Sequence, residues 1–152
     1  MAELAEEKNI TTYRKARHEY TIVQTYEAGI SLLGTEVKAL RQNKANLTDS
    51  YAIVKEGQVW LINANIGSYD FGNINNHDPF RVRRLLLNRN EIRKLNRAVV
   101  EKSCTLIPLR LYFKKGLVKV ELAVATGKKQ YDKREDIAKR DYLRDQERKY
   151  KN

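Results

Sequence analysis

The sequence predicts a mainly β protein: an OB-fold-like small antiparallel β-barrel with two or three short helices and a disordered basic C-terminal tail. Two observations predict the barrel. Apolar and polar residues alternate along several short segments, which is the period of half-buried strands, and glycine-containing turns separate these segments. A third observation predicts the tail: after Gly127, apolar residues become scarce while charged residues continue. Five or six short strands suit a small closed barrel, for which the OB-fold is the natural candidate.

The first strand follows a polar segment at the N-terminus. Residues 1–12 carry several glutamates and little apolar surface, so we expect a flexible leader there. Tyr20, Ile22 and Tyr26 then alternate with polar residues, which predicts a half-buried strand. Ala28-Gly29 is expected to form a turn into a second short strand.

Two helices are predicted from apolar spacing and from a capping signal. The first covers residues 35–42, with Leu33, Val37 and Leu40 on its inner side. The second begins after Asn88, an N-cap residue whose capping-box partner is Glu91. Its residues separate into two stripes: an apolar one of Ile92, Leu95 and Val99, and a basic one of Arg89, Arg93 and Arg97.

Two β-hairpins are predicted from alternation on both sides of a glycine-containing turn. Pro108 has no N–H to donate, which indicates a strand edge or a β-bulge at that point. The first hairpin joins residues 51–54 to residues 59–62 through Glu56-Gly57, and the second joins residues 107–113 to residues 118–124 through residues 114–116.

The domain prediction places a leader at residues 1–12, an OB-fold domain at residues 13–127 and a basic tail at residues 128–152. The tail contains ten basic and six acidic residues but few apolar ones. Such a segment cannot bury enough surface to offset its ordering entropy, so we expect it to be disordered until it binds a partner. Oppositely charged residues at i, i+4 spacing favour a helix in the bound state.

Charge identifies the class of partner. Thirty Lys and Arg residues against 19 Asp and Glu give a formal charge of +11, which favours a polyanionic partner. No apolar run approaches the roughly 20 residues of a membrane-spanning helix. The glutamate-rich start does not resemble a secretory signal. We therefore expect a cytoplasmic protein that binds nucleic acid and has no membrane partner.

Enzyme chemistry has little support. Cys104 is the single cysteine, and His18 and His77 are the only histidines, so no metal site rich in thiolates is available and no cofactor is expected. A Cys104–His pair stays open as an alternative, although a cysteine beside a buried strand is more often inert. We expect a protein that is not an enzyme.

Basic residues interleaved with tyrosines line several predicted edges of the barrel. This mixture suits backbone neutralisation and base stacking on RNA. It fits a ribosomal protein or a general single-stranded-RNA-binding OB protein equally well. The candidate RNA contacts from these edges are Lys38, Arg41, Tyr51, Arg83, Arg84, Arg89, Arg93 and Arg97.

Seven blocks of sequence resemble the SmpB family in that family's order and spacing. Any one block is weak, but together they are specific, and they cover about residues 14–140. They are ARHEY (16–20), YEAGI (26–30), GTEVK (34–38), DSY (49–51), RLLL (84–87), LIPL (106–109) and GKKQYDKR (127–134).

The resemblance implies a specific function. SmpB-like proteins bind the tRNA-like domain of transfer-messenger RNA and carry it, with EF-Tu, into stalled ribosomes for trans-translation. The body then takes roughly the place of a tRNA anticodon arm. The tail enters the vacant mRNA channel beside the decoding region of the small subunit and folds there as a helix.

The resemblance also assigns residues. Glu27, Leu86 and Lys119 match the family's RNA-binding positions, with Glu27 expected to confer selectivity because a carboxylate accepts only from base or ribose donors. The alternatives are a turn residue for Glu27, a core residue for Leu86 and a solvated charge for Lys119. The candidate ribosome-binding residues of the tail are Lys128, Lys129, Tyr131, Asp132, Lys133 and Arg134.

Overall fold

A computed structural model describes residues 6–69 and 76–128, and nearly half of these residues lie in antiparallel strands. The mainly β prediction is confirmed. The helices are α1 (Ala16–Glu19), α2 (Gly34–Arg41) and α3 (Arg89–Lys102). The strands are β1 (Glu7–Thr12), β2 (Tyr20–Ile30), β3 (Ala45–Asn46), β4 (Tyr51–Lys55), β5 (Gln58–Ile62), β6 (Asn65–Ile66), β7 (Arg83–Leu86), β8 (Thr105–Lys114) and β9 (Leu117–Gly127).

Six strands close into a barrel. Their order is β8-β4-β5-β7-β2-β9, and β9 pairs again with β8 to complete the ring. The predicted irregularity at Pro108 is confirmed, because the register between β8 and β9 shifts between Pro108 and Arg110. Such a bulge increases the local bend and twist that closure needs. Strands β3 and β6 form a separate two-stranded sheet.

The two predicted hairpins are confirmed, and their turns explain them. Glu56 and Gly57 connect β4 to β5 with φ angles of 55° and 71°. Lys115 and Gly116 connect β8 to β9 with φ angles of 52° and 74°. Two successive residues with positive φ match the twist of a two-residue hairpin, and a glycine takes the second position without steric cost.

Aliphatic side chains from the inner face of the barrel form the core. Fully burying each such side chain stabilises the fold by roughly 1.5–3 kcal/mol. Helix α3 adds Leu95, the fully buried member of the predicted apolar stripe, while Ile92 and Val99 are partly buried. The fully buried leucines and isoleucines include Leu40, Leu61, Leu85, Leu95, Leu106, Ile107, Leu111 and Leu122.

Helix starts follow their capping residues. The capping box of α3 is confirmed: Asn88 Oδ1 accepts from the Glu91 N–H at 2.9 Å, and the Asn88 N–H donates to Glu91 Oε1 at 3.2 Å. Helix α2 forms where predicted, but its inner side differs. Leu33 is exposed and Val37 half-buried, whereas Glu36, Ala39 and Leu40 are buried, because an ion pair draws Glu36 inward.

Two local predictions are wrong. A flexible leader does not extend to residue 12, because Glu7–Thr12 pairs with β8 as a strand and buries Ile10. Ala28-Gly29 is not a turn, because β2 continues unbroken to Ile30 with partners on both sides. In both places the tertiary pairing partner, rather than local sequence, decides the conformation.

Candidate nucleic-acid interface

Gly29 brings two of the predicted site residues together on the outside of the barrel. It pairs with Leu86 of β7 on one side and with Lys119 of β9 on the other. Glu27 lies two residues earlier on β2 and therefore on the same outer face. We call this group, Glu27, Gly29, Leu86 and Lys119, the β2 face. A Cβ at Gly29 would lie 3.1 Å from the Leu86 Cβ, so glycine permits the close approach of β7.

A shallow pocket of about 260 Å³ opens on the β2 face. Leu86 and Lys119 line it together with Val37 of α2 and Leu117 at the start of β9. Leu86 is 45% exposed and Leu117 62% exposed, so the reading of Leu86 as a core residue is wrong. An exposed apolar floor beside a lysine suits the packing of a base or ribose whose phosphate is neutralised nearby.

Glu27 is held in place by hydrogen bonds from β8, which lies on the other side of β9. The Tyr112 hydroxyl donates to Glu27 Oε2 at 2.6 Å, and Lys114 Nζ donates to the same oxygen at 3.1 Å. The Tyr112 hydroxyl is the largest cause of a lowered pKa at Glu27; burial opposes it, and Lys114 and Lys119 add to it. These contacts favour the ionised form of Glu27. Glu27 lies within β2, so its alternative as a turn residue is wrong.

Tyr112 itself is buried under an arginine. It is 2% exposed, and the Arg110 guanidinium lies 3.9 Å from its ring centroid. Arg110 is fixed by Glu7 of β1 at 2.8 Å and by Glu121 of β9 at 2.6 Å. Burial raises the pKa of the Tyr112 hydroxyl, and the bond to Glu27 raises that pKa further.

Sequence reasoning missed Tyr112. The available signal was its place on the polar side of an otherwise apolar strand, where it alternates with Arg110 and Lys114. A tyrosine between two basic residues on such a face has a hydroxyl that needs an acceptor.

Arg83 does not belong to the interface, and its prediction as an RNA contact is wrong. Its side chain is fully buried; Nε donates to Glu36, one terminal nitrogen donates to the Ala64 carbonyl at 2.8 Å, and the other to the Pro79 carbonyl at 3.1 Å. Side chains alternate between the two faces of β7, so Arg83 points into the barrel while Arg84 points to the outside.

The remaining basic and aromatic candidates on the barrel are exposed but dispersed. Arg84 lies on the outer side of β7 with Leu86. Lys38 and Arg41 are exposed on α2, with Lys38 Nζ 5.4 Å from the centroid of the Tyr69 ring. Tyr51 is 41% exposed on β4, which two strands separate from β2 in either direction around the ring. The structure does not bring Tyr51 to the β2 face.

The arginines of α3 form a second basic surface. Arg89, Arg93 and Arg97 are all exposed, and Arg97 lines a cavity of about 240 Å³ between α3 and β2. Within residues 6–69 and 76–128, no carboxylate forms a salt bridge with any of the three. Like charges at i, i+4 spacing repel one another, so an external anion would stabilise this face.

The open alternative of a cysteine–histidine pair finds no support in the described part of the chain. Both ring nitrogens of His77 are engaged, one with Thr35 Oγ1 at 2.9 Å and one with the Ile66 carbonyl at 2.8 Å. Cys104 is buried and its thiol lies 3.8 Å from the Lys102 carbonyl. Over the same residues, no group of three or more His, Cys, Asp or Glu side chains is arranged to hold a metal ion.

The described residues end just after β9. Lys128 donates its N–H to the Glu19 carbonyl at 3.1 Å. The remaining candidate tail residues, Lys129, Tyr131, Asp132, Lys133 and Arg134, lie outside the described residues. No helix in the described residues is long and apolar enough to cross a membrane.

A closed antiparallel barrel whose outer surface combines fixed charges with an exposed apolar pocket places this chain among small β-barrel proteins with a candidate nucleic-acid-binding surface. Comparison with known families then gives the particular one. The chain belongs to the SmpB family, because the family model described as SmpB protein matches residues 10–152.

Individual relatives and a solved structure agree with this membership. The SsrA-binding protein of Syntrophomonas wolfei is 56% identical over 144 residues, covering 95% of this chain and 92% of its own length. That of Thermoanaerobacter pseudethanolicus is 58% identical with the same coverage. A chain from a structure described as "tmRNA-SmpB: a journey to the center of the bacterial ribosome" matches 83% of this chain and 85% of its own, with 46% identity and a TM-score of 0.65.

Proposed function

We propose that this protein binds the tRNA-like domain of transfer-messenger RNA and delivers it to stalled ribosomes for trans-translation, which rescues the ribosome and tags the peptide. The relatives' name, SsrA-binding protein, and the solved structure that names tmRNA and the bacterial ribosome support this function. The observation that carries it is the β2 face, where Gly29 lies between Leu86 and Lys119 and next to Glu27.

Each residue of the β2 face has a distinct proposed role. Lys119 neutralises a phosphate, Leu86 packs against a base or ribose, and Glu27 accepts a hydrogen bond from an RNA donor. The first contact supplies affinity that depends on salt, while the last supplies selectivity.

Further proposals concern the other partners. The tail reaches the decoding region of the small subunit and the mRNA channel, EF-Tu joins the delivery complex, and the site of action is the cytoplasm, where ribosomes translate. The protein acts by binding and not as an enzyme. The family resemblance and the net charge of +11 support these proposals.

An RNA pull-down followed by sequencing tests the function directly. The bound RNA is expected to be dominated by one species, transfer-messenger RNA. A mixed population of ribosomal or unrelated RNAs would instead support the general RNA-binding alternative.

Replacing Lys119 with Ala is expected to weaken binding to transfer-messenger RNA and to make its salt dependence shallower by about one phosphate contact. The barrel should stay folded, because surface substitutions usually change stability by less than about 0.5 kcal/mol. Binding titrations at several salt concentrations measure both quantities. Lys55→Ala, an exposed lysine on β4, is the matched control. An unchanged slope for Lys119→Ala would remove Lys119 from the interface.

Reversing Arg89 and Arg93 to Glu is expected to lower affinity for RNA or ribosomes by about tenfold or more at low salt, because two phosphate contacts become repulsive. We expect the variant to stay folded, because both side chains are exposed and an acidic residue at position 89, in the first turn of α3, favours the helix. Titration and circular dichroism of the same variant check both points. The control variant, Lys15→Glu with Lys55→Glu, changes the net charge by the same amount but outside α3. If the α3 variant binds as well as this control, the arginine stripe serves only solubility.

A further inference from the structure

The two carboxylate oxygens of Glu27 are used unequally inside the protein. Oε2 accepts from the Tyr112 hydroxyl at 2.6 Å and from Lys114 Nζ at 3.1 Å. The only described contact of Oε1 is a long one of 3.4 Å from the same Lys114 nitrogen. A carboxylate has about four acceptor sites, so Oε1 keeps acceptor capacity on a side chain that is 38% exposed.

Tyr112 is fixed in a position that maintains this unequal use of the two Glu27 oxygens. Its ring is 2% exposed and covered by the Arg110 guanidinium at 3.9 Å. Arg110 cannot swing away easily, because Glu7 and Glu121 hold two of its nitrogens. The ring therefore holds the hydroxyl in one position beside Glu27 Oε2. Residues of β1, β8, β9 and β2 all contribute to that placement.

We infer that Tyr112 is a positioning residue, which holds Glu27 Oε2 so that Oε1 faces the RNA and accepts from one N–H or O–H donor. The inference rests on the proposed function and adds to it a residue outside the β2 face. The RNA donor is an exocyclic amino group of a base or a ribose 2′-hydroxyl, two of the donor groups that RNA offers to a carboxylate.

Tyr112→Phe tests the inference with a minimal change, because it keeps the ring and the contact with Arg110 and removes only the hydroxyl. Affinity for the tRNA-like domain is expected to fall by about threefold to tenfold, with an unchanged salt slope, because no phosphate contact is lost. Tyr13→Phe is the matched control: Tyr13 is also buried and donates to a glutamate, Glu19, at 3.2 Å, away from the β2 face.

A double-mutant cycle separates positioning from general packing. If Tyr112 acts through Glu27, Tyr112→Phe should have no further effect on affinity in a Glu27→Ala background, which has no side-chain acceptor for the hydroxyl. Additive losses, or no loss for Tyr112→Phe alone, would overturn the inference. If the wild-type protein does not select transfer-messenger RNA, the proposed function fails instead, and the cycle is then measured with the RNA recovered by pull-down.

The pH dependence of binding gives a readout that a packing role would not change. The Tyr112 hydroxyl is the main cause of the lowered pKa of Glu27, so removing it should raise that pKa. Loss of RNA affinity on acidification should then begin at a higher pH in Tyr112→Phe than in the wild type. Identical pH profiles would contradict the inference.

Binding measurements with chemically modified RNA identify the kind of donor group. Transcripts with inosine in place of guanosine lack the 2-amino group, and 2′-deoxy transcripts lack the ribose hydroxyl. The substitution that removes the donor should weaken binding by the wild type but leave binding by Glu27→Ala, which has no acceptor oxygen, unaffected. If both substitutions weaken the two proteins equally, Oε1 is not the acceptor of either group and the inference fails.

Discussion

Glu36→Ala is expected to destabilise the barrel by about 3–5 kcal/mol, because it leaves the Arg83 guanidinium charged, buried and without its anion. Both side chains are fully buried. Glu36 Oε1 also accepts from Arg81 at 2.6 Å and from the Leu33 N–H at 2.7 Å, so the start of α2 loses its cap as well. Equilibrium unfolding in urea measures the loss. The expected loss is a large part of the roughly 5–15 kcal/mol by which a typical folded domain is more stable than its unfolded state.

Two further variants make this prediction specific. Arg84→Ala, next to Arg83 but exposed, should change the free energy of unfolding by no more than about 0.5 kcal/mol. Replacing Glu36 and Arg83 together with apolar residues of similar volume should recover much of the loss, because no lone buried charge remains. A Glu36→Ala protein as stable as Arg84→Ala would show that the pair contributes little.

The stability that Glu36 contributes should depend on pH in a defined direction. Burial alone would raise the pKa of Glu36, but hydrogen bonds from Arg81, the Leu33 N–H and Arg83 outweigh burial and lower it from its ordinary value of 4.5. A group with a lowered folded pKa stabilises the protein above its unfolded pKa and loses this contribution as pH falls through the folded pKa. The difference in the free energy of unfolding between the wild type and Glu36→Gln should therefore become smaller below about pH 4.

Truncation after Lys128 is expected to abolish peptide tagging while leaving the barrel folded and binding to transfer-messenger RNA nearly intact. β9 is complete at Gly127, and Lys128 is kept so that its N–H still donates to Glu19. The β2 face contains no residue beyond Lys119. A gel shift with the RNA and a tagging reaction in a reconstituted stalled translation system measure the two activities separately.

A tail of identical composition in scrambled order is the control for charge. If the tail acts only as a polycation, this variant should tag peptides as well as the wild type does. If it carries a specific ribosome-binding sequence, including Asp132, Lys133 and Arg134, the scrambled protein should fail like the truncated one. Tagging that persists without the tail, or RNA binding that disappears with it, would contradict the proposed division between barrel and tail.

Features with local causes were predictable from the sequence. The turns at Glu56-Gly57 and Lys115-Gly116 require positive φ, and glycine marks such places directly. The start of α3 follows from Asn88 and Glu91, three residues apart. The bulge near Pro108 follows from the missing N–H of proline.

Features with distant causes were not predictable in the same way. Arg83 is buried because Glu36, 47 residues earlier, supplies its anion, and no local pattern reveals that partner. Residues 7–12 form a strand because β8 offers an edge about 100 residues later. In both places, local composition pointed to an exposed segment, and a long-range partner reversed the outcome.

The candidate site likewise contains residues that were predictable from the sequence and one that was not. The family resemblance indicated Glu27, Leu86 and Lys119 as separate positions, and the register of β7, β2 and β9 is what brings them to one face. Neither source indicated Tyr112, because its role depends on a hydroxyl bond to a residue 85 positions away. Sequence patterns identified the kinds of residue, whereas only the barrel shows which of them are neighbours.

The long separation between paired strands has a consequence for synthesis. Glu7 and Arg110 are 103 residues apart, and Tyr112 and Glu27 are 85 apart. During translation, β1 and β2 leave the ribosome long before β8 and β9 exist, so β1 cannot pair with β8, nor β2 with β9, until the barrel sequence is almost complete. Contacts this distant also slow folding. A nascent chain that stops before residue 119 has no Lys119 and no closed ring, so, under the proposed function, we expect incomplete copies of the protein to compete poorly for the RNA.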